Sequence, residues 1–203
     1  ILITHHHADH QGGIAALLEH WQADVFGPGI ESITGCNRPL CGGETITVLG
    51  QPVSVMAVPG HTLGHLAFYV PGALFCGDTL FGAGCGRLFE GTPAQMSHSL
   101  AQIAALPDDT LVYCAHEYTE ANLRFAIAVE PLNAALRDRV KRVAELRVAG
   151  ASSVPSTLAE EMATNPFLRS GEPAVIAAAL EHAAVDRSKV AVFTAIRQWR
   201  NSF

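Results

Sequence analysis

A cluster of four histidines and one aspartate stands near the start of the chain, in the sequence THHHADH at residues 4–10. It directly follows three apolar residues, and an apolar run that ends in polar residues predicts a buried strand stopping at a loop. His5 and His7 are two residues apart and can point to one side, whereas Asp9 and His10 can point in a second direction. The spacing therefore predicts two neighbouring metal ions. The alternative, a solvated histidine run or a tag, fits poorly with the aspartate inside the run.

Three more candidate ligands follow apolar, strand-like segments in the same way, namely His61, Asp78 and His116. Several strand ends that meet at one edge of a sheet can build a rigid site from distant parts of a chain. Imidazole with carboxylate suits zinc, iron and related metals. Two such ions about 3.5–4 Å apart can share a hydroxide at neutral pH, which predicts hydrolysis of an acyl bond. Asp78, alone at a strand end, is the candidate bridging carboxylate.

Composition limits the class of protein. The 203 residues are 49% hydrophobic and 16% charged, which is typical of a globular protein. A net charge of -6 argues against a nucleic-acid partner bound through a basic surface. No transmembrane-length apolar run or signal peptide is visible, and the five scattered cysteines favour reduced thiols. We therefore expect a cytoplasmic protein without a membrane partner, and a monomer.

The order of predicted elements divides the chain into two parts. Strand-like segments dominate up to residue 116, and no strand is predicted beyond it. Helices are predicted after that point, one of them with an apolar stripe opposite a face of arginine and lysine. We expect a metal-binding domain over 1–117 and an α-helical domain over 118–203. Because the chain begins inside a predicted core strand, it resembles a fragment whose first strand lacks neighbours and carries unpaired backbone groups.

Six motifs, in this order, resemble the glyoxalase II (hydroxyacylglutathione hydrolase) family of the metallo-β-lactamase superfamily. The resemblance covers essentially the whole chain. The first motif alone indicates only the superfamily, and the later ones are far more specific. The motifs are THHHADH at 4–10, GHTLGH at 60–65, CGDTLF at 76–81, GCGR at 84–87, HEYT at 116–119 and the helical tail IRQWRN at 196–201.

The resemblance implies an α+β fold, an αββα sandwich without its N-terminal strands, followed by an α-helical C-terminal domain. It implies two divalent metal ions, with zinc expected first and iron or manganese as alternatives. Asp78 would bridge them, and Asp78 and Asp9 are the catalytic candidates beside a metal-bound hydroxide. The other ligands it implies are His5, His7 and His61 on one ion and Asp9, His10 and His116 on the other.

The same resemblance implies the substrate S-D-lactoylglutathione, split to D-lactate and glutathione in methylglyoxal detoxification. The glutathione-binding positions it implies are Arg87, Phe89, Tyr118, Arg197 and Arg200. Lysine, tyrosine and lysine are frequent at the first, second and last of these positions. Arginine keeps the charge but changes the geometry, and phenylalanine loses a hydroxyl.

Several alternatives remain open at this stage. Another hydrolase of the superfamily, such as a lactonase or a different thioesterase, would use the same centre, and so would an inactive truncated fragment. A one-iron sulfur dioxygenase fits the complete ligand set less well. Arg197 and Arg200 could merely compensate a helix dipole. His6 is expected to point away from the metals, and His65 to support the site without binding an ion.

Overall fold

The computed structural model describes all 203 residues. Six strands form one mixed sheet, two form a parallel ladder and two form a tight hairpin, with eight helices around them. The helices are α1 Ala8–Gln11, α2 Ile14–His20, α3 Pro93–Ala104, α4 Thr119–Val129, α5 Ala134–Val148, α6 Leu158–Thr164, α7 Pro173–Glu181 and α8 Lys189–Ser202. The strands are β1 Phe26–Pro28, β2 Arg38–Leu40, β3 Thr45–Val48, β4 Gln51–Ala57, β5 Leu66–Val70, β6 Ala73–Gly77, β7 Leu80–Phe81, β8 Gly84–Cys85, β9 Leu111–Cys114 and β10 Ser156–Thr157.

The main sheet has the order β10-β9-β6-β5-β4-β3. Strands β3 to β6 form an antiparallel meander, and β9 adds in parallel to β6. The first turn of the meander places Leu49 and Gly50 at positive φ, which suits a two-residue hairpin loop. Strand β10 pairs antiparallel with β9, so the prediction of no strand after residue 116 is wrong. Two residues are too few to show the alternation that identifies a strand.

The elements stack in the order helix, sheet, ladder, helix, which agrees with the predicted α+β sandwich. Helices α3 and α8 supply Leu100, Ile103 and Phe193 to the largest core cluster, where they join Leu74 and Val112 of the main sheet. The opposite face of the sheet meets the β1–β2 ladder through a smaller cluster. Helix α2 then covers the ladder with a single buried side chain, Ile14.

The helical region shares its core with the sheet. Phe125 of α4 and Ile196 of α8 belong to the same cluster as Val58 and Cys76 from the first part of the chain. Hydrophobic burial therefore packs the helices directly against the sheet. That residues 1–117 and 118–203 form two separate domains stays a prediction.

The start of the chain is better paired than predicted. The N–H of Ile3 donates to the carbonyl of Phe26 at 2.9 Å, and the N–H of Phe26 donates to the carbonyl of Ile1 at 2.9 Å. Only Leu2 forms a β-bridge, so residues 1–3 are not a regular strand. The expectation of unpaired backbone groups was wrong along the edge that faces Phe26.

Helix α5 also differs from the prediction. The apolar stripe predicted at Leu132, Leu136, Val140 and Val143 is buried at Leu136 and Val143, whereas Leu132 precedes the helix and is 84% exposed. Arg139 was predicted to lie on the polar face with the other basic residues, but it is only 1% exposed. It stands three residues after Leu136 and four before Val143, which places it on the buried face of the helix. Its guanidinium pairs with the buried carboxylate of Glu161 in α6. A pattern within one helix could not reveal this partner, because it comes from another helix.

Two features bear on the predictions from composition. All five cysteines are free thiols; Cys76 and Cys85 are buried, whereas Cys41 is exposed. Free thiols agree with the prediction that the chain has no disulfide framework. None of the helices combines the length and apolar character needed to cross a membrane.

Candidate metal centre

The candidate ligands come together because of the strand directions. Strands β4, β6 and β9 all run the same way, since β4 and β6 are each antiparallel to β5 and β9 is parallel to β6. His61, Asp78 and His116 each follow the C-terminal end of one of these strands, so they meet at the same edge of the sheet. The loop that carries His5 and leads into α1 lies at this edge, where the carbonyl of Thr4 accepts a hydrogen bond from Leu66.

One group of ligands consists of His5, His7 and His61. The Nδ1 atom of His7 lies 3.0 Å from Nε2 of His5 and 3.0 Å from Nε2 of His61. Two ligand nitrogens about 2.0–2.1 Å from a tetrahedral ion lie roughly 3.4 Å apart, so these separations are close to those of a shared ion. His5 and His61 are both buried.

The second group consists of Asp9, His10 and His116. Oδ2 of Asp9 lies 3.2 Å from Nε2 of His116 and 3.5 Å from Nε2 of His10. The ligand atoms of the three residues all lie within 4.8 Å of one another. This group is more exposed than the first, because Asp9 lies on the surface of α1.

Asp78 lies between the two groups and uses one oxygen for each. Oδ2 is 3.4 Å from Nε2 of His61, whereas Oδ1 is 3.2 Å from Nε2 of His10 and 3.7 Å from Nε2 of His116. Oδ1 of Asp78 and Nε2 of His10 are buried and lack a hydrogen bond of good geometry. Buried polar atoms without partners are costly, and a pair of divalent ions would satisfy both.

The protonation states also suit metal binding. Burial, together with the neighbouring imidazoles, lowers the pKa of His5 far below its usual range, and burial lowers that of His61. Both rings therefore present a free lone pair at neutral pH. Burial alone would raise the pKa of Asp78, but the close contact with His10 and the charges of His10, His61 and His116 lower it overall. Asp78 is accordingly a carboxylate anion.

His65 supports Asp78 from behind, as expected from the sequence. Its Nε2 accepts the backbone N–H of Asp78 at 3.1 Å, and its Nδ1 lies 3.2 Å from the hydroxyl of Thr79. Burial lowers the pKa of His65 to about 3, so the ring is neutral and can accept. His61 is oriented in a similar way, since its Nδ1 lies 2.7 Å from the carbonyl of Arg87. Such contacts fix the tautomer of a ligating histidine.

Two glutamates that sequence reasoning missed connect the ligand loops. Glu31 accepts hydrogen bonds from the N–H of His6 at 2.7 Å, the hydroxyl of Thr62 at 2.5 Å and the N–H of Gly64 at 2.8 Å. Glu90 lies 2.7 Å from Nε2 of His6 and accepts the N–H of Leu63. The ring of His6 thus points away from the two ligand groups. No motif contains either glutamate, so only the fold reveals them.

Two aromatic side chains flank the centre. Phe89 is 60% exposed and lies edge-on against His7 and His61, with ring centroids 5.4 and 5.2 Å apart. Tyr118 is 51% exposed and stacks on His116 at 5.1 Å. Their exposure leaves both rings free to contact a bound molecule. Arg87, also exposed, lies 5.5 Å above the ring of Phe89.

The C-terminal helix folds back towards the glycine-rich segment that follows Asp78. Arg197 is buried and donates to the carbonyl of Cys85 at 2.9 Å and to Asn201 at 3.0 Å. Arg200 is partly exposed and reaches Oδ1 of Asn122 at 3.5 Å. Both arginines therefore lie near this segment, and Arg197 is the more deeply engaged of the two.

Comparison with known families identifies the chain. The metallo-beta-lactamase superfamily model matches residues 1–116, and the model for the hydroxyacylglutathione hydrolase C-terminus matches residues 117–203. The chain belongs to the hydroxyacylglutathione hydrolase family. This family is part of the metallo-β-lactamase superfamily, and membership implies a dinuclear metal site, which agrees with the grouped histidines and aspartates.

Curated relatives support this membership. The hydroxyacylglutathione hydrolase of Dechloromonas aromatica is 70% identical, with all of this chain and 82% of the relative covered. That of Pseudomonas aeruginosa is 53% identical, with 80% of the relative covered, and that of Nitrosomonas eutropha is 50% identical, with 81% covered.

Solved structures agree with the fold. ETHE1 from Myxococcus xanthus is 24% identical and superposes with a TM-score of 0.67 over 98% of this chain and 68% of that protein. At this identity the likeness shows the fold alone. A protein crystallised in a di-iron-bound form is 28% identical, with a TM-score of 0.56 over 83% of this chain and 76% of its own.

Proposed function

We propose that this member of the hydroxyacylglutathione hydrolase family hydrolyses S-D-lactoylglutathione to D-lactate and glutathione, as a step in the removal of methylglyoxal. The observation that carries the proposal is the position of Asp78, with one oxygen directed to each of two ligand groups. Relatives at 50–70% identity that are named hydroxyacylglutathione hydrolase support the substrate class.

The ligand assignment follows the two groups. His5, His7 and His61 would hold one divalent ion, and the second would be held by Asp9, His10 and His116. Asp78 would bridge the two ions. Zinc is the first choice because the donors are mainly imidazoles, with iron or manganese as alternatives. When bound, the ions supply Lewis acidity and lower the pKa of water to about 7, which provides a nucleophile at neutral pH.

The residues of the chain then orient the reaction. The anionic Asp78 balances the charge of the centre and fixes the separation of its two halves. His65 and the carbonyl of Arg87 hold Asp78 and His61 in place, so little reorganisation is needed when substrate binds. Asp9 would act beside Asp78 as the second carboxylate of the centre.

Substrate recognition would involve both flanks. Phe89 and Tyr118 offer ring faces beside the two halves of the centre, where an acyl group and the adjoining cysteinyl segment could lie. Glutathione carries two carboxylates, and the guanidinium groups of the exposed Arg87 and the partly exposed Arg200 could bind them. Arg197 would contribute positive charge from below the surface. Phe89 cannot donate the hydrogen bond that a tyrosine would.

We further infer that the chain acts as a cytoplasmic monomer. Its five unpaired cysteines suit a reducing compartment. Size-exclusion chromatography with light scattering measures the oligomeric state, and a stable dimer would overturn this part of the proposal.

Steady-state kinetics on three substrate classes test the proposed function. S-D-lactoylglutathione, a lactone and a β-lactam are compared at equal protein and metal concentrations. Release of glutathione from the thioester is followed with a thiol reagent, lactone opening by the acid that it releases, and β-lactam opening by absorbance. We expect kcat/KM for the thioester to exceed the other two by at least 100-fold. Comparable rates on the lactone would instead identify a different hydrolase of the same superfamily.

A further inference from the structure

The segment between Asp78 and Arg87 forms a short hairpin. Strands β7 and β8 pair Leu80 with Cys85, and at the base Gly86 donates its N–H to the carbonyl of Thr79 at 3.1 Å. The packing at the base is close, because a Cβ atom on Gly86 would lie 1.9 Å from the carbonyl oxygen of Asp78. The hairpin therefore has little freedom to shift relative to Asp78.

The two ends of this hairpin serve both halves of the metal centre. One end is Asp78, whose carboxylate lies between the ligand groups. The other end is Arg87, whose carbonyl fixes the ring of His61 at 2.7 Å. A displacement of the hairpin would move the bridging carboxylate and release the orientation of a histidine at the same time.

Three side chains from the helical region hold the tip of the hairpin. Asn122 lies on α4, Glu161 lies on α6, and Asn165 directly follows α6. All three are buried. The contacts are Asn122 Nδ2 to the carbonyl of Gly82 at 3.0 Å, the N–H of Ala83 to Glu161 Oε2 at 2.9 Å, and Asn165 Nδ2 to the carbonyls of Gly84 at 2.9 Å and Phe81 at 3.3 Å.

The tip itself is conformationally unfavourable. Ala83 has a φ of 54°, in the left-handed region that costs a non-glycine residue roughly 1–2 kcal/mol. Its methyl group is buried in a cluster with Leu123, Ala126 and Leu136 of the helical region. Such a conformation persists only where the surroundings enforce it, and here Glu161 accepts the amide of the strained residue.

Glu161 is a buried charge that the proposed chemistry does not use. It is 0% exposed, and its charge is balanced by Arg139 of α5, which is 1% exposed. Ser156 and Asn165 also donate to it, at 2.7 and 3.0 Å. A buried ion pair is often no more stable than apolar residues of the same volume. Stability alone therefore gives a weak reason for the pair, whereas its contact with the hairpin gives a specific one.

We propose that Asn122, Glu161 and Asn165 are positioning residues of the metal centre. By fixing the tip of the hairpin, they hold Asp78 and the carbonyl of Arg87 where the two ions require them. The helical region thereby contributes to metal binding without supplying a ligand. This inference rests on the proposed function only in treating the grouped histidines and aspartates as a metal centre.

The test compares Asn122→Ala with Asn133→Ala. Asn133 is a matched control, since it also lies in the helical region and makes two hydrogen bonds, to Leu136 at 3.1 Å and Ala163 at 3.0 Å, but none to the hairpin. Zn²⁺ affinity is measured by competition with a chromophoric chelator, and amide hydrogen exchange is followed in the peptide covering residues 79–86. Neither measurement needs substrate.

We expect Asn122→Ala to lower Zn²⁺ affinity by about 10–100-fold, the usual effect of losing a partner that orients a ligand, and to accelerate exchange in the hairpin. Asn133→Ala should change neither by more than about twofold, although both variants lose stability. Glu161→Gln should act in the same direction as Asn122→Ala. If Glu161→Gln does not fold, the asparagine pair decides the question.

Native affinity and exchange in Asn122→Ala, or equal effects in Asn133→Ala, would overturn the proposal. A failure of the proposed function looks different. In that case the wild-type chain would bind two ions and show the difference between the asparagine variants, yet would not cleave S-D-lactoylglutathione.

Discussion

Two supports hold the candidate metal centre, and they differ in their exposure to solvent. On one side, Glu31 and Glu90 join the loops that carry His5, His7 and His61. Glu31 is half-buried and Glu90 is exposed. On the other side, Glu161 holds the hairpin after Asp78 and is completely buried. Both supports use a carboxylate to accept backbone N–H groups.

The difference lies in what each carboxylate needs. A partly solvated glutamate keeps some of its hydration and requires no partner of opposite charge. A fully buried one must be neutralised, and Arg139 from a third helix does this. The solvated support can therefore be built from nearby loops. The buried support depends on the complete packing of the helical region, which couples the stability of that region to the geometry of Asp78.

The largest effect should come from removing the neutralising charge. Arg139→Met leaves Glu161 buried and unpaired, so we expect a loss of about 3–5 kcal/mol in the free energy of unfolding. Urea denaturation of the metal-free protein measures it. The control is Arg147→Ala, which breaks an exposed pair with Glu117 at 3.1 Å and should cost less than about 1 kcal/mol. Similar losses of stability in the two variants would contradict the view that the buried carboxylate of Glu161 depends on a neutralising partner.

The solvated support should matter more for metal binding than for stability. Glu31→Ala removes three hydrogen bonds that hold the two loops together. We expect Zn²⁺ affinity to fall by roughly tenfold, at the lower end of the range for such partners. Glu90→Ala removes fewer contacts from a more exposed position and should have a smaller effect. A titration in which Glu90→Ala is the weaker binder would contradict this order.

The sequence predicted which side chains come together at the sheet edge, because each lies in a local motif or directly after an apolar strand. His5, Asp78 and His116 are examples, and the structure brings all three to one edge of the sheet. Helix α3 also begins at a local signal, since Pro93 follows the capping residue Thr92.

What the sequence could not show depends on contacts between distant segments. Neither Glu31 nor Glu161 lies in a motif. Each acts by accepting hydrogen bonds from backbone N–H groups of distant segments. Arg139 is charged by type, yet its spacing from Leu136 and Val143 places it on the buried face of α5, where its partner Glu161 comes from α6. The two-residue strand at Ser156 exists only because β9 offers it a free edge.

The smallest effect should come from Arg200, which is partly exposed, reaches Asn122 at 3.5 Å and lies over the ring of Phe125. Arg200→Ala together with Arg197→Ala should raise KM for S-D-lactoylglutathione by about tenfold, or about 1.4 kcal/mol. Arg200→Ala alone should leave kcat and metal content nearly unchanged, because it removes binding common to ground and transition states.

Arg197→Ala alone should also accelerate exchange in the hairpin, since Arg197 holds the carbonyl of Cys85. An unaltered KM in the double variant would leave glutathione recognition to Arg87 and Tyr118.

We propose that two ions, bridged by Asp78, carry out the hydrolysis. The direct test titrates Zn²⁺ into chelator-stripped protein, with bound metal and the rate on S-D-lactoylglutathione measured in the same samples, for the wild type and Asp78→Asn. We predict that the stripped protein is inactive, that the wild type reaches full rate at two ions per chain, and that Asp78→Asn binds both ions more weakly. Full activity at one ion per chain, or undiminished occupancy of both sites in Asp78→Asn, would contradict it.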